Sequence, residues 1–119
     1  MANFQIRLLP VSEKPNVRVI HVGGEIDELC LDEFKKEVGI YLKNQNIDTF
    51  ILFLRDLEFI NSMVVGYLAE VFSNLNQENR KLILAEGNDQ ILDILELVGF
   101  LNLAEYHNTI QEAIDSLDF

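Results

Sequence analysis

The stretch Phe50-Ile51-Leu52-Phe53-Leu54 is apolar at every position. A strand with one wet face alternates apolar and polar residues. A run with no polar position marks a central strand covered on both sides, as in parallel sheets. Leu82-Ile83-Leu84-Ala85 is a shorter run of the same kind. Helical patterns flank both runs. Leu31, Phe34, Val38 and Tyr41 recur at helical spacing, with Lys35, Lys36 and Glu37 on the other side; Val64, Leu68, Val71 and Leu75 form a second stripe, widened by Val65 and Phe72. Buried strands that alternate with amphipathic helices define an α/β fold, its parallel strands joined by right-handed crossovers.

The remaining segments fill in the order. Phe4 to Leu9 and Val17 to Val22 flank the turn-like Ser12-Glu13-Lys14-Pro15-Asn16 and read as a hairpin ending at Gly23-Gly24. Asp27 is the expected N-cap of the first helix, which Asn44-Gln45-Asn46 ends. Asn74 to Arg80 reads as a polar loop. Gln90 to Val98 reads as a third helix, with Gly99 as its left-handed C-cap, and its apolar residues surround more than one stripe. A short edge strand is expected within Ala104 to His107. A last helix follows, capped within Asn108 to Gln111, with Ile110, Ala113, Ile114 and Leu117 on its apolar face. The expected architecture is a mixed sheet of four or five strands with about four helices, in one domain spanning residues 1–119.

A chain that is 49% hydrophobic can bury a real core without metal or disulfide staples, and its formal net charge of -11 disfavours nucleic acid and anionic membranes as partners. A basic protein surface is the natural counterpart. The single cysteine, Cys30, can form no intrachain disulfide and reads as a buried apolar residue. The amino terminus does not look like a signal peptide, and no apolar run approaches the roughly 20 residues of a membrane span. A cytoplasmic location is expected.

The common nucleotide-binding and hydrolase signatures are missing, and His21 and His107 have no metal-ligand spacing. No catalytic residue, metal site or cofactor is therefore expected. Glu25 and Asp27 form an acidic pair at the carboxyl end of a strand, where α/β sheets usually place binding loops. As a magnesium or acid–base site they lack a completing histidine, lysine or further carboxylate.

Asp56-Leu57-Glu58-Phe59-Ile60-Asn61-Ser62 connects the central strand to the second helix. Asn61 or Ser62 would cap that helix, and either arrangement places the Ser62 hydroxyl at the helix N-terminus. Phosphate there would be accommodated by the unpaired first-turn N–H groups and the helix dipole. It would add about -1.5 to -2 charges and disturb a close-fitting protein contact. The same local structure therefore supports a binding module switched by phosphorylation.

Three ordered segments resemble the STAS domain family, the fold of bacterial anti-sigma factor antagonists. They are Val22-Gly23-Gly24-Glu25-Ile26-Asp27, the run from Phe50 to Ser62, and Ile94-Leu95-Glu96-Leu97-Val98-Gly99-Phe100. The resemblance implies a STAS-like fold and a regulatory protein that is not an enzyme. Its partner would be a kinase-type anti-sigma factor that phosphorylates Ser62, with a phosphatase reversing the step. Glu25, Asp27, Asn61 and Met63 would contact that partner, with Asn61 orienting the serine. ATP and magnesium would belong to the kinase. Where the family reads Asp-Ser-(Ser/Thr)-Gly, this chain has Asn61-Ser62-Met63-Val64, while Gly66 matches a second family glycine. The rival reading is a STAS scaffold subunit of a signalling or lipid-transport assembly that is never phosphorylated. A third, enzymatic reading would use Glu25 and Asp27 as a magnesium site.

Overall fold

The structure, a computed structural model, describes residues 3–117. Strands β1 (Phe4–Pro10), β2 (Val17–Ile26), β3 (Thr49–Ile60), β4 (Lys81–Ala85) and β5 (Tyr106–His107) form one sheet in the order β1-β2-β3-β4-β5. β1 and β2 make the expected antiparallel hairpin, and every other neighbouring pair is parallel. Helices α1 (Leu31–Leu42), α2 (Ser62–Gln77), α3 (Asp89–Val98) and α4 (Ile110–Asp115) complete the mixed α/β fold, with a 3₁₀ turn at Phe100–Asn102.

Strand alternation divides the core between the two sheet faces. Ile20, Val22, Phe50, Leu52, Leu54 and Leu84 pack with Phe34, Leu68 and Leu95 of the first three helices, whereas Val17, Val19, Ile51 and Ile83 pack with Ala113 and Leu117 at the C-terminal end. The apolar run of β3 is thus covered on both faces. Each large side chain buried this way contributes about 1.5–3 kcal/mol.

Several boundaries differ from expectation. β2 does not end at the glycines but continues through them to Ile26, and β3 continues past Leu54 to Ile60. Pairing continues across a pair of register shifts, between His21/Gly23 and Gly24/Glu25, where β3 takes an extra residue each time. Gly24 sits at φ 85°, and a Cβ there would lie 2.2 Å from the Asn3 carbonyl oxygen. Only glycine lets β1 lie against β2 at this point. α2 runs to Gln77, so residues 74–77 are helix rather than loop. Gly99 does adopt the left-handed C-cap, at φ 89°.

Two polar ties hold the ends of the sheet. Arg80 is only 6% exposed. Its Nε donates to the Ile47 carbonyl at 2.9 Å and its Nη2 to those of Leu42 and Asn44, at 3.1 and 2.9 Å. Its Nη1 donates to Glu78 at 2.9 Å, and its guanidinium lies over the Phe50 ring. Across the sheet, Glu105 accepts from His107 Nε2 and, at 3.2 Å, from Ser116 Oγ, joining β5 to α4.

The His107 bond, opposed by partial burial and helped by Ser116, holds the Glu105 carboxyl below its ordinary range. A carboxyl whose pKa is depressed by folding stabilises the fold above its unfolded pKa. That contribution disappears as pH falls through the folded value. The thermal midpoint of Glu105→Gln should accordingly lie below that of the unaltered protein near neutrality, and the gap should close between about pH 5 and about pH 3. Melting curves across that range check it; a gap independent of pH would refute it.

Candidate functional site

β2 and β3 end together, with Glu25 beside Phe59 and Ile26 beside Ile60. β4 pairs with β3 only as far as Phe53, so the last residues of β3 project past it as a ledge beside β2. Ile26 and Ile60 anchor this ledge in the core, while Glu25 and Phe59 remain exposed. On the open side of β3, Asn88 Nδ2 donates to the Leu57 carbonyl at 3.1 Å, and the Asn88 side chain also caps α3. Between Phe59 and Ile60 of β3 and Gln90, Ile91 and Ile94 of α3 lies a groove of about 250 Å³.

Asp27 is not the cap of α1, which begins four residues later at Leu31 after Cys30, a residue with no capping side-chain bond. Asp27 instead closes a turn. Its Oδ1 accepts from the Leu29 N–H at 2.9 Å, and its carbonyl accepts from the Cys30 N–H at 3.3 Å. The turn buries Cys30, as expected, and leaves Leu29 88% exposed.

Asn61, in an extended conformation, is the N-cap of α2. Its Oδ1 accepts from the Val64 N–H at 3.1 Å, and its Nδ2 donates to Glu28 at 2.8 Å. The two bonds together fix the orientation of the amide. Ser62 is therefore the first helical residue and is exposed; Met63 is 56% exposed, whereas Val64 and Val65 turn inward. Asn61 accepts the Val64 and Val65 amides through its side chain and carbonyl, which leaves Ser62 and Met63 N–H as first-turn donors. Asn61→Ala should cost about 1 kcal/mol in denaturant unfolding, the usual worth of an N-cap, and a loss below about 0.3 kcal/mol would refute its capping role.

The structure thus gathers Glu25, Asn61, Ser62 and Met63 at the carboxyl end of the sheet, beyond β2 and β3, with Asp27 next to Glu28, which bonds Asn61. Glu25, Asp27, Glu28 and Glu58 make this end acidic. Among the described residues, no cluster of three or more His, Cys, Asp and Glu side chains is arranged to hold a metal ion. Both histidines serve the sheet: His21 bonds Asp56 at 2.7 Å and His107 bonds Glu105. Sequence reasoning missed Glu28 and Leu29. The position of Leu29 outside the Leu31-Phe34-Val38 stripe was the available signal for its exposure; the Glu28 bond had none.

Fold and site together describe an α/β module with a capped, hydroxyl-bearing helix start at the carboxyl edge of its sheet. The STAS domain family model matches residues 9–113, and the chain belongs to that family. It is 18% identical to an anti-sigma F factor antagonist of Paenibacillus polymyxa, over 98% of this chain and 97% of the relative. An anti-sigma factor antagonist from Mycobacterium paratuberculosis superposes with a TM-score of 0.85 at 17% identity, covering 95% of this chain and 92% of the other. The Bacillus cell fate determinant SpoIIAA, solved in its phosphorylated form, superposes with a TM-score of 0.71 at 20% identity over 96% and 100%. No helix among the described residues is long and apolar enough to cross a membrane.

Proposed function

We propose that residues 1–119 act as one regulatory binding domain of the anti-sigma factor antagonist type, located in the cytoplasm. Its partner is a kinase-type anti-sigma factor, and phosphorylation of Ser62 switches the contact. The observation that carries this reading is the exposed Ser62 hydroxyl at the start of α2, beside exposed Phe59 and Met63 and at the carboxyl edge of the sheet. Glu25, Asp27 and Met63 contact the partner. Asn61 sets the serine in place by capping the helix. The acidic edge selects a basic surface. The similarity to antagonist proteins, one of them solved in a phosphorylated form, supports the same reading. The protein contributes no catalysis; ATP is consumed by the kinase, and a phosphatase restores the serine.

One observation favours a constitutive scaffold instead. The Glu28 carboxylate is fixed against Asn61, the residue next to Ser62, so a phosphate dianion there meets a like charge. Phosphosite mapping by mass spectrometry on the protein from its own cells, with and without phosphatase, decides between them. Phosphate on Ser62 is the expected result. An unmodified Ser62 across growth and stress conditions would overturn the switch in favour of the scaffold.

A further inference from the structure

The two edges of the sheet are unequal. β5 is two residues long, a common way to blunt an edge, whereas β1 has seven residues and stands at the end of the strand order. The Glu25 N–H donates to the Asn3 carbonyl, so Asn3 and Glu25 face each other as a bonded pair. Bonded and non-bonded pairs alternate along an antiparallel ladder. With the unbroken register of β1 on β2, the N–H and C=O groups of Gln5, Arg7 and Leu9 turn inward. Those of Phe4, Ile6 and Leu8 then turn outward, to an edge that no strand among the described residues covers. These three side chains share the helix-covered face. Phe4 and Ile6 floor a groove walled by Glu33, Lys36 and Glu37 of α1, and Leu8 is 37% exposed.

We infer that this edge pairs with the β1 edge of a second copy of the chain, antiparallel about a two-fold axis at Ile6. The sequence of β1 is self-complementary in that register. Ile6 meets Ile6 of the second copy, Phe4 meets its Leu8, and each pair exchanges two backbone hydrogen bonds. Gln5 falls opposite Arg7 of the second copy in a non-bonded pair, where side chains approach closely and a guanidinium can donate to the amide oxygen. A slip of two residues instead sets Arg7 against a second Arg7 and Phe4 against Pro10, which has no N–H to give. A net charge of -11 on each chain opposes association. Salt screens that repulsion, so the dimer tightens as ionic strength rises.

Sedimentation equilibrium of the full chain at about 5–200 µM, in about 50 and 500 mM NaCl, reads the association directly. Expected is a dimer of twice the 13.7 kDa chain mass, tighter at high salt. Leu8→Pro removes one outward N–H without touching the inward ladder and should weaken the dimer at least about tenfold while circular dichroism stays unchanged. A second arm is independent of that variant: mixing Gln5→Cys and Arg7→Cys chains under mild oxidation should give mainly the mixed disulfide. A monomer at every concentration and salt overturns the proposal and leaves the edge to a different partner. A dimer with Leu8→Pro unaffected, or one yielding mainly like-with-like disulfides, overturns the surface.

Discussion

Replacing Arg80 by alanine should lower the unfolding free energy by about 3–5 kcal/mol, a loss comparable to opening a large cavity in the apolar core. One buried guanidinium donates to the carbonyls of Leu42, Asn44 and Ile47, at the end of α1 and in the loop leading to β3. Removing it leaves these acceptors short of a donor, at about 1–3 kcal/mol for each one that water cannot reach. The Phe50 ring also loses the planar cation above it. Arg80→Lys should recover only part of the loss, because a single ammonium cannot match the guanidinium fork. Denaturant titration measures this as a lower midpoint with an unchanged slope. A loss under about 1 kcal/mol would mean that the loop rearranges to satisfy its own carbonyls.

The second large effect concerns recognition. If the proposed kinase-type anti-sigma partner contacts the start of α2, Ser62→Asp should weaken its binding by about 30- to 1000-fold, or about 2–4 kcal/mol, because a charge would enter a close-fitting contact. Ser62→Ala should bind as the unaltered protein does. Stability should barely move in Ser62→Asp. A carboxylate in the first turn of α2 gains about 0.3–1 kcal/mol from the helix dipole, and the Glu28 carboxylate held on Asn61 offsets part of that gain. Calorimetric titration of the three proteins against the same partner separates the cases. Equal affinity for all three would place the contact away from the start of α2.

The helices and the buried strands were legible because their periodicities are strong: Val64, Leu68, Val71 and Leu75 are all buried on α2, and Phe50 to Leu52 on β3. The end of β3 was not. From Leu54 to Ile60 the buried positions are Leu54, Leu57 and Ile60, a spacing of three. The two register shifts against β2 produce that spacing, and no strand rule based on alternation can anticipate it. Asp27 misled for a related reason. An aspartate before an apolar helix is a good cap, yet it serves equally well to close the turn that comes first. At the site, Ser62 and Asn61 could be placed from sequence because a helix start is a local feature. The bond from Asn61 to Glu28, 33 residues away, could not. Arg80 reads as part of a polar loop for the same cause: its acceptors at Leu42, Asn44 and Ile47 lie across the sheet crossover rather than along the chain.

The projection of β3 beyond β4 also bears on how such a protein can diversify. Glu58 and Phe59 of this ledge, Glu25 at the end of β2 and Met63 at the start of α2 are exposed, while Ile26, Leu57 and Ile60 are buried beneath them. Replacing the outer set would redraw the proposed recognition surface and leave the folding core intact. Duplicated copies of such a gene can thus drift toward separate partners, one outward residue at a time, without passing through an unfolded ancestor.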